Sequence, residues 1–346
     1  ASEYEQGKDE EDDAGMILDM ILKLVAGSAL MLLVLVLALL FDGVDRIINA
    51  RMQRRWGPPV FQPFYDVLKL LGKENIVPRH AVSWVFNSAP WMALASMLVV
   101  FLYIPLGSLP AILGSEGDLI LVLYMLGFCG VSMALGGFAS GNPIANVGAQ
   151  REMILMMSYE LPLAIVASTL AWTAYRYGMP GEPWSLETFA ANPVWHVVGK
   201  SGTLGLLCLL LALVLVVPGE TGKGLMDIPE AKTEILEGLI IEYSGSNLVM
   251  FKITFALRSL AISAIITALF IPWSFASLLG ISGCVLFALD FLWFWVKVFV
   301  VQIIVVTFMR SSLGRLKIWQ ASHFYWVNVA GLSIAGMLLL SIDRIF

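Results

Sequence analysis

Between Pro218 and Gly245 the chain reads PGETGKGLMDIPEAKTEILEGLIIEYSG and carries six acids, Glu220, Asp227, Glu230, Glu234, Glu237 and Glu242, against only Lys223 and Lys232. The rest of the chain is so apolar, 59% hydrophobic residues overall, that such a stretch is not explained by packing. Asp227-x-x-Glu230 with Pro229 in between reads as a helix start, with a capping carboxylate, a proline in the first turn and an acid reaching back. If the helix continues, Asp227, Glu230, Glu234 and Glu237 follow at spacings of three, four and three and stack on one face. Like charges that close repel, so they require counter-charges, water or shared protons. Shared protons would make the stretch a proton-handling device.

Other ionisable groups lie inside long apolar runs: Glu160, Lys252, Arg258, Asp290 and Lys297. An unpaired charge near a bilayer centre costs at least ~2.5 kcal/mol, and such groups usually face a protein interior or a water-filled cavity. Glu160 follows Arg151 by more than two helical turns, and Pro162 shortly after it frees backbone carbonyls. Asp290 and Lys297 are seven residues apart, two turns on one face, and are expected either to form a polar track or to pair for packing. A third group is basic: Arg46, Arg51, Arg54 and Arg55 run into Trp56 and Pro58. It suits lipid phosphates, topology control or docking of a soluble partner.

The elements that must position these groups are membrane helices. Mean hydropathy is +0.83 and charged residues make up only 14% of the chain. Long apolar runs predict an all-α polytopic membrane protein with about eight spans, at 16–41, 88–107, 117–139, 149–175, 203–218, 247–271, 277–309 and 321–342. Residues 61–71 alternate apolar and polar at helical spacing but are too short to cross, so an amphipathic interfacial helix is expected there. Residues 1–15 are acidic and expected to be mobile, leaving 16–346 as a single membrane domain. That acidic segment lacks the basic flank of a signal peptide, so the first span is expected to stay as an anchor.

The 21 Lys and Arg concentrate in 46–87, 140–151, 219–246 and 310–320, which predicts those stretches on the cytoplasmic side of the cell membrane and both termini outside. Cys129, Cys208 and Cys284 stand singly, and His80, His196 and His323 are far apart, so no metal site is expected. No dinucleotide, phosphate-loop or catalytic-triad motif is present, which argues against a self-contained redox enzyme. Nothing calls for a nucleic-acid partner; the bilayer itself is the expected surroundings.

Several motifs taken in order resemble one family. They are Arg51-Met-Gln53-Arg54-Arg55-Trp56-Gly57-Pro58, Gln62-Pro63 with Asp66 and Lys69, Gly148-Ala-Gln-Arg151 with Ser158-Tyr159-Glu160, and Glu220-Thr221 with Asp227-Ile-Pro229-Glu230, Glu234 and Glu242-Tyr243-Ser244. Together they resemble the complex I subunit called H, or subunit 1, over nearly all of 42–320. That resemblance implies an eight-span subunit joining a redox arm to a membrane arm. It places Glu160, Glu220, Asp227, Glu230, Glu234 and Glu242, with Arg151 nearby, in a charged passage towards antiporter-like subunits.

Two departures separate the chain from quinone-using members. Glu220-Thr221-Gly222-Lys223-Gly224-Leu225-Met226-Asp227 replaces their usual run, with Lys232 where they carry a second glutamate, and the loop between Pro58 and Gln62 is shorter. The short form is similar to membrane-bound [NiFe]-hydrogenases and ferredoxin-dependent sulfur-reducing complexes. The resemblance thus implies a non-catalytic coupling subunit of a ferredoxin-oxidising, ion-translocating complex, with no cofactor of its own. Iron–sulfur clusters and NiFe would sit in soluble partners docked on the cytoplasmic face over Arg46, Arg51, Arg54, Arg55, Trp56, Pro58, Gln62 and Asp66, with antiporter-like and small membrane subunits alongside. Glu160 and then Asp290 and Lys297 would pass a change in the acidic loop onward. Alternatives are a sulfur-reducing or quinone-reducing complex, a structural anchor, and a stand-alone transporter, against which the lack of an internal repeat speaks.

Overall fold

A computed structural model describes residues 2–114, 118–274, 284–312 and 314–343, with the side chains of 2–15, 225 and 284–286 outside the description. Among the described residues eight helices are long and apolar enough to cross a membrane: Met16–Met52, Ser83–Tyr103, Asp118–Ala139, Pro143–Tyr177, Lys200–Thr221, Gly245–Phe270, Phe287–Ser312 and Ile318–Ile342. Each overlaps an expected span, and the protein is an all-helical multi-pass membrane protein. The expected start of the seventh span, 277–283, lies outside the described residues. The acidic opening segment continues as helix from Ser2 into the first span, and the interfacial helix runs Gln62–Leu71 with Pro63 in its first turn.

The sixth span threads the middle. In its membrane window 89% of the residues are buried, against 22% for the first span and 33% for the eighth. Of the two cations in it, Lys252 is exposed and Arg258 is 1% exposed.

The fourth span has 35 residues, about 52 Å at 1.5 Å per residue, and so outreaches the ~30 Å hydrocarbon layer. Asn142 caps its start by accepting from Ile144 N at 2.8 Å, and Pro143 occupies the first turn. Its early turns consequently project beneath the 219–246 loop, carrying Arg151 and Glu152 with them. At the opposite face Asp343, just past the eighth span, accepts from Tyr177 Oη, Gly199 N and Gly202 N at 2.7–2.8 Å and from Ser201 Oγ. This carboxylate ties the fourth, fifth and eighth spans together, and the Ser201 hydroxyl, with the other donors, holds it well below the usual carboxylate range.

The acidic stretch departs from expectation: it is not a helix begun at Asp227. It folds as a 3-10 turn Gly224–Met226, one helical turn Lys232–Ile235 and a second 3-10 turn Gly238–Ile240. Leu236 and Glu237 have left-handed backbone, with φ of 53° and 81°, which ends the helix before a second turn can form. A continuous helix would have aligned four like charges; the broken path instead turns Asp227, Glu234 and Glu237 to separate cations and Glu230 to a cavity. The loop also rests directly on the fourth span at Gly148, where an added Cβ would lie 2.5 Å from Leu239 N and 3.0 Å from Pro229 O. Only a residue without a side chain admits that approach.

A buried charge cluster beneath a polar cavity

At the level where the fifth span ends, Arg258 of the sixth span donates to three partners from three directions. Its Nε meets Glu220 Oε1 at 3.0 Å, Nη1 meets Glu152 Oε1 at 3.1 Å, and Nη2 meets the Tyr159 hydroxyl at 2.5 Å. Glu220 is fully buried and Glu152 is 5% exposed. The guanidinium fork suits this because its donors lie in one plane at fixed angles.

Two buried carboxylates face one cation, so the cluster carries one negative charge too many when both are ionised. Glu220 Oε2 is buried without a hydrogen-bond partner among the described residues, which leaves a place for a proton or a water. Tyr325 of the eighth span packs edge-on against Tyr159 with ring centroids 6.2 Å apart. Both rings press on Gly219, where a Cβ would lie 2.6 Å from the Tyr325 hydroxyl. Glu160 is half-buried against Gly127 of the third span and makes no hydrogen bond or ion pair with the described residues.

Above the cluster lies a cavity of about 580 Å³ whose floor includes Glu152 and Arg258 and whose walls include Glu230, Asp227, Lys223 and Arg46. Glu230 has been turned into it, and burial, then the neighbouring Asp227, pushes its carboxyl up to about 8. Asp227 pairs with Arg315 at 3.2 Å, yet burial still raises it above the usual carboxylate range. Glu234 pairs with Arg151 at 2.6 Å, and the hydrogen bond from that guanidinium lowers it. Glu237 pairs with Lys232 at 2.9 Å on the surface, and Glu242 accepts from the Asn142 amide at the start of the fourth span.

A second network borders the cavity. Asp66 of the interfacial helix accepts from Arg46 at 3.0 Å and from Gln62 at 3.1 Å, and these bonds outweigh burial and lower its carboxyl. Arg46 also pairs with Asp42 at 2.9 Å, and Asp42 with Lys223 at 3.2 Å. Asp45, 2% exposed, accepts from Thr307 at 2.6 Å and Arg310 at 3.1 Å, which ties the first span to the π-turn Ile303–Thr307 in the seventh.

The structure therefore brings Glu230 to the cavity and Glu220 to the buried Arg258 beneath it, with Glu160 beside the cluster. It sets Asp227, Glu234, Glu237 and Glu242 in separate pairs. Asp290 is buried in the seventh span behind Gly107, and Lys297 donates to Ile271 O and Trp273 O at 2.7 and 3.1 Å, where the sixth span ends. Along the sixth span that is about 20 Å from Arg258. Of the basic segment, Arg46, Gln62 and Asp66 turn inward, whereas Arg51, stacked 4.6 Å over Trp56, stays exposed with Arg54, Arg55 and Pro58.

Sequence reasoning assigned no role to Glu152, Tyr159, Asp42, Asp45, Lys223, Arg310 or Tyr325. A signal was available for one of them: an arginine deep in an apolar helix demands a carboxylate, and Glu152 stands eight residues before Glu160 in the neighbouring polar stretch. Among the described residues no group of three or more His, Cys, Asp or Glu is placed to hold a metal ion.

The Glu230 carboxyl is neutral below about pH 8 and ionised above it. Because its folded value lies above the ordinary 4.5, the stability this neutral acid contributes is complete below 4.5 and is lost as pH rises through about 8. In Glu230→Gln a pH profile of thermal stability should lose that decline; an unchanged decline would exclude Glu230 as its source.

Known proteins share this architecture. The family profile described as NADH dehydrogenase matches residues 25–341. Hydrogenase-4 component C of Escherichia coli (strain K12) is 30% identical over 305 residues, covering 88% of this chain and 91% of that protein. The H-type subunit of the NADH-quinone oxidoreductase of Syntrophotalea carbinolica is 30% identical over 325 residues, with 88% and 91% covered. A chain in the structure of the membrane-bound sulfane sulfur reductase, an archaeal respiratory membrane complex, superposes with a TM-score of 0.77 at 26% identity, covering 92% of this chain and 99% of that one.

Proposed function

The chain belongs to the NADH dehydrogenase family of H-type, or subunit 1, membrane proteins, whose matched members are membrane subunits of complex I-like assemblies, and from that premise we propose that it couples a ferredoxin-oxidising, hydrogenase-like redox arm to ion translocation. The observation that carries the proposal is the Glu152–Arg258–Glu220 cluster, buried at the floor of a charged cavity and holding one carboxylate more than its cation can answer. Reduction in the docked arm alters the charge at the cavity mouth. Protons then redistribute among Glu230, Glu152 and Glu220. Glu160, lying beside them without a partner among the described residues, takes up or releases the next proton towards the membrane subunits. Asp290 and Lys297, in the seventh span level with the far end of the sixth, lie too far from Arg258 to join by direct contact and serve in this scheme as a separate relay near the opposite face.

The soluble arm docks on the cytoplasmic face over Arg51, Arg54, Arg55, Trp56 and Pro58, while Arg46, Gln62 and Asp66 transmit its position through their internal pairs. The acidic pairs at Glu234 with Arg151, Glu237 and Glu242 shape the loop. Iron–sulfur clusters and NiFe belong to that arm, and both termini face outside the cell membrane. A quinone-reducing complex is the second possibility, favoured by the match to the NADH-quinone oxidoreductase protein. Against it stands the charged lining of the cavity, since a quinone site is built mainly from apolar walls.

Gentle isolation of the intact assembly, with its subunits and metals identified, tests the proposal. Nickel, iron–sulfur subunits and hydrogen evolution from reduced ferredoxin are the expected result. Iron without nickel would move the assignment to the sulfur-reducing branch, and recovery with a quinone-reactive NADH dehydrogenase would overturn it.

A further inference from the structure

The eighth span turns a polar groove outward, into the region that lipid would fill. The groove measures about 440 Å³ and is lined by Leu316, Trp319, Gln320, His323, Phe324 and Asn328. Asn328 lies ten residues past Ile318, about 15 Å along the helix and so near the middle of a ~30 Å hydrocarbon layer. It falls in the π-turn Phe324–Val329, and its side chain is exposed.

Exposed hydroxyls elsewhere in the spans answer themselves. Ser168 donates to Ile165 O at 3.1 Å and Ser341 to Met337 O at 2.8 Å, each within its own helix. Asn328 and His323 have no such recourse: neither side chain makes a hydrogen bond with the described residues. An asparagine amide has two donors and an acceptor oxygen, and hydrocarbon offers it nothing. Lipid tails are thus a poor cover for this face, although its neighbours Trp326 and Val327, 55% and 53% exposed, are apolar. Water is a poor cover as well, since the groove opens sideways among those apolar side chains.

We infer that this groove seats a transmembrane helix of another subunit, one carrying a Ser, Thr, Asn or Gln side chain that hydrogen-bonds Asn328. The same face continues at the spacing needed for close approach. Gly331, where an added Cβ would meet nothing within 4 Å, and exposed Ala335 follow Asn328 at steps of three and then four residues, so a second backbone can come near. The chemistry selects a polar-faced helix over a lipid, because only a helix delivers a fixed donor and acceptor at that depth. A seat for such a helix presupposes the multi-subunit assembly proposed above.

The test compares the whole assembly purified from wild type, Asn328→Leu and Gly331→Leu, with subunits counted by native mass spectrometry across a detergent titration. Interhelical hydrogen bonds in membranes support an expectation that Asn328→Leu loses one particular membrane subunit at detergent concentrations about threefold to tenfold lower than wild type. Gly331→Leu should lose the same subunit by steric exclusion, with the soluble arm still bound to what remains. Retention of every membrane subunit in both variants would overturn the inference, because a lipid-facing asparagine is replaced by leucine without loss. Release of a second copy of this chain would also overturn it, by naming a different occupant. A wild-type preparation with no other membrane subunit would instead contradict the assembly on which it rests.

Discussion

Arg258→Met is expected to prevent the assembly from accumulating. The substitution keeps an unbranched apolar stem but removes the donors to Glu152, Glu220 and Tyr159, all of them buried. Removing one partner of a buried ion pair costs roughly 3–5 kcal/mol, because the charge left behind has neither water nor a counter-ion. Here two carboxylates are stranded, so the upper part of that range applies, against a typical total stability of only about 5–15 kcal/mol. The triple variant Arg258→Met, Glu152→Gln, Glu220→Gln removes all three charges together and is expected to restore the folded subunit. Subunit abundance in membranes and thermal stability in detergent check both halves. A stable single variant would mean that the two glutamates are already neutral without Arg258.

Glu220→Gln is expected to do the opposite: to leave the fold in place and abolish coupling. Gln has the same length, and its amide oxygen can still accept from Arg258 Nε, so the hydrogen bond is kept while the charge is removed. The excess negative charge of the cluster disappears with it. Glutamine does not exchange a proton in the physiological range, so the route proposed between Glu230 above and Glu160 beside it would be interrupted. Translocation is expected to fall at least about tenfold, equivalent to a barrier higher by about 1.4 kcal/mol or more. Electron transfer in partner subunits, measured with the ion gradient collapsed, should persist.

How legible all this was in the sequence differs from element to element. The spans could be placed because about twenty apolar residues are needed to cross and the chain repeats that length eight times. Their ends could not, since helices such as Pro143–Tyr177 run on past the hydrocarbon, and nothing in hydropathy marks where a helix leaves lipid and enters protein. The sixth span was recognisable as a span, but its central position follows from how the first, second, fifth and seventh spans pack around it.

The acidic loop shows the other limit. Asp227, Pro229 and Glu230 carry every local sign of a helix start, and local signs would have put four acids in a row. The fold instead brings Arg151 from the fourth span and Arg315 from before the eighth, and those long-range charges draw Glu234 and Asp227 apart. The acids stand out by their number alone, whereas the cations that Glu234 and Asp227 meet lie 83 and 88 residues away in the chain. Glu152 and Asp45 went without a role for the same reason: their partners, Arg258 and Arg310, are neighbours only after folding.

The most direct test is the ratio of ions moved to electrons transferred, measured in sealed inverted vesicles holding the assembly with wild-type chain or Glu220→Gln. Electron flow from reduced ferredoxin and ion uptake would be recorded together, with Arg258 and the loop unaltered. The account predicts a ratio near zero in Glu220→Gln at a nearly unchanged electron-transfer rate. A wild-type ratio in that variant would mean that the buried cluster only holds the helices together, and that ions move by another route.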